Sequence, residues 1–357
     1  MMRRRRLWIA ILLFVVAAAI LTLVWLRRRG APEAVRLLPE GDAVLYVNLG
    51  LIRLGTDVPR IPEVHREPEY AAFVRETGFE FERDLDEVAL AVHSLPPPAP
   101  QPRTPPSGAP PLPYRTSEVF VGHFDAKRLS GYLKKLAAST ERHRDTDIYN
   151  IPHEGLMVRV ALLGVDMVAV SNADDPAVIR GIIDRYHALA RPLAVPSLVS
   201  EHYTRVPLGS AAWVIGRVPA AQVGRAAGPP DAMRMAQQMA GGSTVVASLR
   251  FTGAIQFRLE AITASASDAK QLGDSLEMVL ALFRGAGASV KGEGPDPDVK
   301  AFFDSIAVHQ EEQSVVVTAT LSQRAIQKVM AQPPPIPAPP APALPETKKP
   351  APRRGAR

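Results

Sequence analysis

Cysteine is absent from all 357 residues, which excludes disulfides, thiolate metal sites and a cysteine nucleophile. The absence fits an oxidising compartment, where stray thiols are a liability. Catalytic signatures are missing as well. There is no P-loop, no His-Glu-x-x-His, no EF-hand loop and no Gly-x-Ser-x-Gly, so the phosphate, zinc, calcium and serine-hydrolase chemistries those spacings serve have no marker here. Aromatics make up only 6% of the chain, with three tryptophans. Long apolar runs are limited to one.

That run is Leu7 to Leu26, interrupted only by Thr22 and bracketed by Arg3–Arg6 and Arg27–Arg29. Twenty helical residues reach about 30 Å, the thickness of a bilayer's hydrocarbon core. Trp8 and Trp25 stand at its two ends, where indole rings favour the headgroup region. Cleavage after Ala17-Ala18-Ala19 would leave Ile20–Leu26 as a greasy new terminus, and the run exceeds a signal-peptide core, so an uncleaved anchor is expected over residues 1–30. A short basic flank before the span predicts an N-inside orientation. The bulk of the chain is then extracytoplasmic, at an inner (plasma) membrane, with the bilayer as its first partner.

The net charge of +6 points toward nucleic acid until it is divided along the chain. Residues 1–30 hold seven arginines and no acid, and the last 25 hold five basic residues and one acid, leaving the body at −5. A mildly acidic body lacks the basic face that nucleic-acid binding needs. Proline concentrates in two places, with ten in Pro96–Pro113 and ten more in Gln332–Arg357. Proline fixes φ and donates no backbone hydrogen bond, so neither stretch joins a helix or a sheet core. The first is expected as a hairpin insertion over residues 95–115, the second as a disordered basic tail over 332–357.

Leu38-Pro39-Glu40-Gly41-Asp42-Ala43-Val44-Leu45-Tyr46-Val47 resembles Val206-Pro207-Leu208-Gly209-Ser210-Ala211-Ala212-Trp213-Val214-Ile215, a Pro-x-Gly turn feeding an apolar strand in each case. Asp125-Ala126-Lys127-Arg128-Leu129 similarly resembles Asp268-Ala269-Lys270-Gln271-Leu272. Strands are expected at Val88–His93, Val119–Phe124, Thr244–Phe251 and Ile255–Ala261. Helices are expected at Pro68–Thr77, Ala126–Ala138 (capped by Asp125), Pro176–Tyr186, Asp231–Met239 and from Ser267 or Asp268 onward. Each half closes with a strand and a helix, the second with Val315–Thr320 and Ser322–Met330. The expected fold class is α+β: a single N-terminal transmembrane helix, two related antiparallel-sheet-plus-helix halves at 36–192 and 203–331, and the Pro-rich tail. Arg191–Ser200 joins the halves.

Several motifs invite a functional reading and fail on context. His143-Arg144-Asp145 with Asn150 spells a kinase catalytic loop, yet the Gly-rich loop, Val-Ala-Ile-Lys strand and Asp-Phe-Gly are missing. Leu344-Pro345-Glu346-Thr347-Lys348 has Lys where a sortase signal needs Gly. Gly285-Ala286-Gly287 with Gly292 follows a helix rather than a strand, unlike a dinucleotide loop. Eight histidines are scattered. Of these His93 and His123 lie on the strands of one hairpin, where with Asp125 they would form a metal site if they converged. Asp174-Asp175 read as a helix cap. No catalytic, cofactor-binding or metal residue is assigned, and no cofactor is expected. The assigned site residues are the span ends Leu7, Trp8, Trp25 and Leu26.

The Arg-flanked anchor, the Leu38–Ala43 turn into a strand, and Gly78-Phe79-Glu80-Phe81-Glu82-Arg83-Asp84-Leu85-Asp86 leading into Val88–Val92 together resemble uncharacterised bacterial membrane-anchored proteins built from domains of unknown function. The resemblance implies no activity. The expected function is a membrane-tethered, non-enzymatic interaction or scaffold module of the cell envelope, with an envelope protein as its partner and no nucleic acid. The alternative is a hydrolase-like extracytoplasmic enzyme with an unrecognised site. A third possibility, a ligand-binding sensor, lacks a cytoplasmic output domain.

Overall fold

The two Pro-x-Gly segments meet in space. In the computed structural model, which describes residues 30–55, 68–94, 114–188, 195–218, 242–289 and 297–325, the strand after each turn pairs with the other. Strand β1 (Ala43–Asn48) lies antiparallel to β8 (Ser210–Arg217), with Tyr46 opposite Trp213 and Leu45 opposite Val214. The two rings stack with centroids 5.6 Å apart, and Tyr203 meets Trp213 edge-on at 5.5 Å. Such aromatic contacts each add roughly 0.5–1.5 kcal/mol beyond burial. Burial also pushes the Tyr46 hydroxyl well above the usual tyrosine range.

From this seam two strand series run outward. One side carries β2 (Leu85–Ser94), β3 (Tyr114–Gly122), β7 (Met167–Ser171), β6 (Leu156–Leu163), β5 (Thr146–His153) and β4 (Ser139–His143). The other carries β9 (Thr244–Phe251), β10 (Ala254–Ile262), β12 (Ser314–Ser322) and β11 (Ala307–Gln310). Every neighbouring pair is antiparallel. The order β1-β2-β3-β7-β6 on one side repeats as β8-β9-β10-β12-β11 on the other, and β5 and β4 extend the first side only.

The expected fold class is corrected to one large sheet: the two halves, which could have shared a sheet or stood as two domains, are joined where β1 and β8 pair, in one continuous twelve-stranded sheet. Backbone groups that would be two open edges satisfy one another instead. The expected transmembrane helix is also not found: no helix among the described residues is long and apolar enough to cross a membrane. Leu7–Leu26, with Trp8 and Trp25, lie outside the described residues, as do the proline segment up to residue 113, Asp231–Met239 and the tail.

Side-chain alternation gives the sheet two faces. On the front face lie α1 (Glu33–Leu37), α6 (Ala177–His187) and α7 (Ser197–His202). Their Val35, Leu37, Ile179, Ile182, Ile183 and Leu198 are fully buried against Val44, Tyr46, Ala89, Val119, Ala161, Ala169 and Trp213. Each fully buried isoleucine or leucine contributes about 1.5–3 kcal/mol. On the back face, α3 (Pro68–Thr77) and α5 (Ala126–Leu136) cover the first series, with Leu129, Leu133 and Phe73 packed on Tyr149, Val160 and Val168. The long α8 (Ala266–Ser289) and α9 (Pro297–Ser305) serve the second series on that face, with Ala269 and Leu272 against Ala261 and Val315. The short α2 (Leu49–Gly55) starts on Asn48, whose Oδ1 accepts from Leu51 N at 2.7 Å, and α4 (Phe81–Asp84) is a single turn before β2.

Local signals explain these boundaries. Asp125 Oδ1 accepts from Arg128 N at 3.0 Å and caps α5. The cap of α8 is Ser265, not Ser267 or Asp268: its Oγ accepts from Asp268 N at 3.1 Å and donates to the Asp268 carboxylate at 2.7 Å. The two Pro-x-Gly turns use glycine for different reasons. Gly209 sits at φ +78°, where a side chain is strained. At Gly41 a Cβ would come within 2.8 Å of the Val92 carbonyl oxygen.

Candidate functional site

The apolar front face stops at Val246 on β9 and Ile262 on β10. Beyond them the same alternation brings up polar side chains in rows across three strands. One row is Ser248, Arg258 and Thr318, and the next is Arg250, Gln256 and Thr320. Among the described residues no helix crosses these rows. They floor a groove of about 630 Å³, walled by Thr204, Arg205 and Pro207 from the turn that follows α7.

At the apolar end of the groove Glu260 is 1% exposed. A lone carboxylate there would cost several kcal/mol, so its oxygens must be satisfied. Arg205 Nη1 donates to Oε1, Arg258 Nη2 donates to Oε2 at 3.1 Å, and Ser314 Oγ donates to Oε1 at 3.1 Å. Both arginine side chains line the groove and remain partly exposed, at 41% and 32%. The buried acid thus holds two cations at the surface in fixed positions. Arg250 is held differently. Its Nε and Nη2 both donate to Gln256 Oε1, at 3.2 and 2.6 Å. Among the described residues no carboxylate lies within ion-pair distance of Arg250. The groove therefore sets three guanidinium groups against two carboxylates, Glu260 and Glu311.

The sequence candidates fall elsewhere. His93 and His123 do not converge. His93 pairs with Arg115 near one end of the β2–β3 ribbon, and His123 follows Gly122 at the other, roughly 25 Å along the strand. Asp125 is occupied in capping, and His123 Nδ1 is 3.3 Å from Asp86 Oδ2. The metal triad is thereby dismantled. His93 Nε2 instead meets Ser117 Oγ at 3.0 Å, and Ser117 Oγ meets Ser171 Oγ at 3.0 Å. This Ser–His contact has hydrolase-like atoms but no access, since Ser117 is 0% exposed. Burial holds the His93 ring below the usual histidine range, and the chain of hydroxyls reads as a satisfied polar link between β2, β3 and β7.

The His-Arg-Asp motif is a strap. Arg144, at φ +55°, turns the β4–β5 hairpin. Its Nε donates to Asp184 Oδ1 at 2.5 Å, His143 Nε2 lies 3.0 Å from the same oxygen, and His187 Nε2 lies 2.9 Å from Asp145 Oδ1. Hairpin and α6 are thus joined by charge. Asn150 bonds Ser139 on the neighbouring strand and does not face Asp145. Asp175 Oδ1 accepts from Ala177 N at 2.8 Å at the start of α6, and Asp174 pairs with Arg115. Gly285-Ala286-Gly287 lies inside α8. Leu344–Lys348 and the span ends lie outside the described residues.

The groove was missed because its residues follow ordinary strand alternation. A signal exists in Ser248-x-Arg250, Gln256-x-Arg258-x-Glu260 and Thr318-x-Thr320, three polar stripes on consecutive strands of one meander. A single such stripe reads as a solvated face. Only the pairing stacks three of them and buries one acid among them.

No protein-family model and no curated protein matches the chain. Among solved structures it is similar to TP0453 in crystal forms III and IV, each with a TM-score of 0.43 and 10% identity, covering 84% and 85% of this chain and 98% and 99% of those chains. Crystal form I of TP0453 gives a TM-score of 0.39 at 11% identity, over 85% of this chain and 98% of that one. Likeness at this level indicates no specific function.

Proposed function

We propose that the chain is a non-enzymatic interaction module of the bacterial cell envelope, acting outside the cytoplasm, and that its partner docks on the polar front face of β9, β10 and β12. One observation carries this reading. Arg205 and Arg258 are fixed by a buried carboxylate at the mouth of an open groove, an expensive arrangement where a helix and apolar packing would have been cheaper. Pre-positioned charges of this kind favour recognition, because little side-chain freedom is left to lose on binding. The one serine–histidine contact described above is sealed from substrate, which favours binding over hydrolysis.

The test compares capture of envelope proteins by the tagged full chain and by Thr320→Trp, which fills the groove from an exposed rim position. The reading expects one reproducible partner to be lost from the variant. Identical partners on both chains would contradict it.

A further inference from the structure

Resting on that reading, we infer that the groove recognises an oxyanion, a carboxylate or phosphate group carried by the ligand, with Arg250 as the principal contact. The charge arrangement carries the inference. Glu260 is shared between Arg205 and Arg258 and accepts a third bond from Ser314, so its one negative charge is already divided between two cations. Among the described residues, the acceptor of Arg250 in the next row is the neutral Gln256 oxygen. That oxygen takes up Nε and Nη2 and fixes the guanidinium plane while leaving Nη1 for another group. A full positive charge whose described partner is an amide is incompletely compensated, and a planar fork of donors matches a carboxylate or phosphate oxygen pair. Thr320 in the same row and Arg258 in the adjacent one, on the same face, supply further donors within reach of one bound group. The surrounding body is acidic, so a local excess of cations here is selective rather than part of a general basic surface.

The full chain is melted in inorganic phosphate, in succinate and in sodium chloride, all at equal ionic strength. A dissociation constant on the order of 1 mM is expected for phosphate, succinate or both, seen as a rise in Tm over chloride. Whichever of the two anions raises Tm identifies the source chemistry. In Arg250→Gln the rise should fall by about tenfold in apparent affinity. Arg250→Lys, which keeps the charge but not the fork, should retain part of it. The unliganded Tm of each variant reports folding separately. No rise with either anion, or an equal rise in Arg250→Gln, overturns the inference. If the anions fail while Thr320→Trp still loses its partner, the docking reading stands without the oxyanion. If anions bind through Arg250 but Thr320→Trp keeps every partner, the docking reading fails by itself.

Discussion

The front face of the sheet is built two ways. Over β1, β2, β3, β7 and β6 it is sealed by α1, α6 and α7, and its inward side chains are mostly valine, alanine, leucine, tyrosine and methionine, with Ser117 and Ser171 as buried polar exceptions. Over β9, β10 and β12 the same side of the same sheet carries arginine, glutamine, serine and threonine, with no described helix above it. Strand order repeats on the two sides of the seam, so topology does not cause the difference. What differs is the identity of alternate residues. The first region obtains stability from burial. The second gives some of it up by keeping a carboxylate dry and two arginine side chains partly exposed.

The largest expected effect lies in the sealed region. Ile182 is 0% exposed beneath the front-face helices, and Ile182→Ala should cost about 4 kcal/mol in denaturant unfolding. A cost below about 1 kcal/mol would mean that α6 does not seal the sheet.

Next comes the acid of the open region. Glu260→Ala removes the shared partner of Arg205 and Arg258 and should destabilise by about 3 kcal/mol, since it strands two cations beside the core. If the loss is close to zero, Glu260 does not organise the groove.

Acid should act more weakly, through the strap on α6. The Arg144 guanidinium, and then His143, hold the Asp184 carboxyl below the usual carboxylate range. A depressed folded-state pKa means that the stabilisation is complete above the ordinary carboxylate pKa and is lost as pH falls through the folded value. Asp184 is 43% exposed, so solvent screening keeps the effect below about 1 kcal/mol. Asp184→Asn should flatten that part of the acid limb. An unchanged pH profile in the variant would show that the strap carries no free energy.

The smallest stability effect is expected at the groove rim. Thr320→Trp should change stability by no more than about 0.5 kcal/mol, as measured by denaturant midpoint.

Much of the sheet was legible from the chain. Alternation placed β2, β3, β9 and β10, and apolar spacing with a good cap placed α5. The meander β4–β5–β6 was less visible, because Ser139–His143 is an edge strand of polar and charged residues that alternation cannot separate from loop. The Pro-x-Gly repeat marked both β1 and β8, but nothing local states that two such strands pair with each other, and that one long-range contact decides between one sheet and two. The groove was hidden for a related reason. Arg250, Gln256 and Arg258 look like solvated strand positions until pairing aligns them with Glu260. His93 and His123 show the converse, since sharing a hairpin brought them no closer than its two ends.

The central claim is that the open face, not the sealed one, meets the partner. The most direct measurement is hydrogen exchange of the full chain with and without its captured partner. The account predicts new protection in β9, β10 and β12 and none in α6 or β7. Protection confined to the first strand series, with exchange in β9–β12 unchanged, would contradict it.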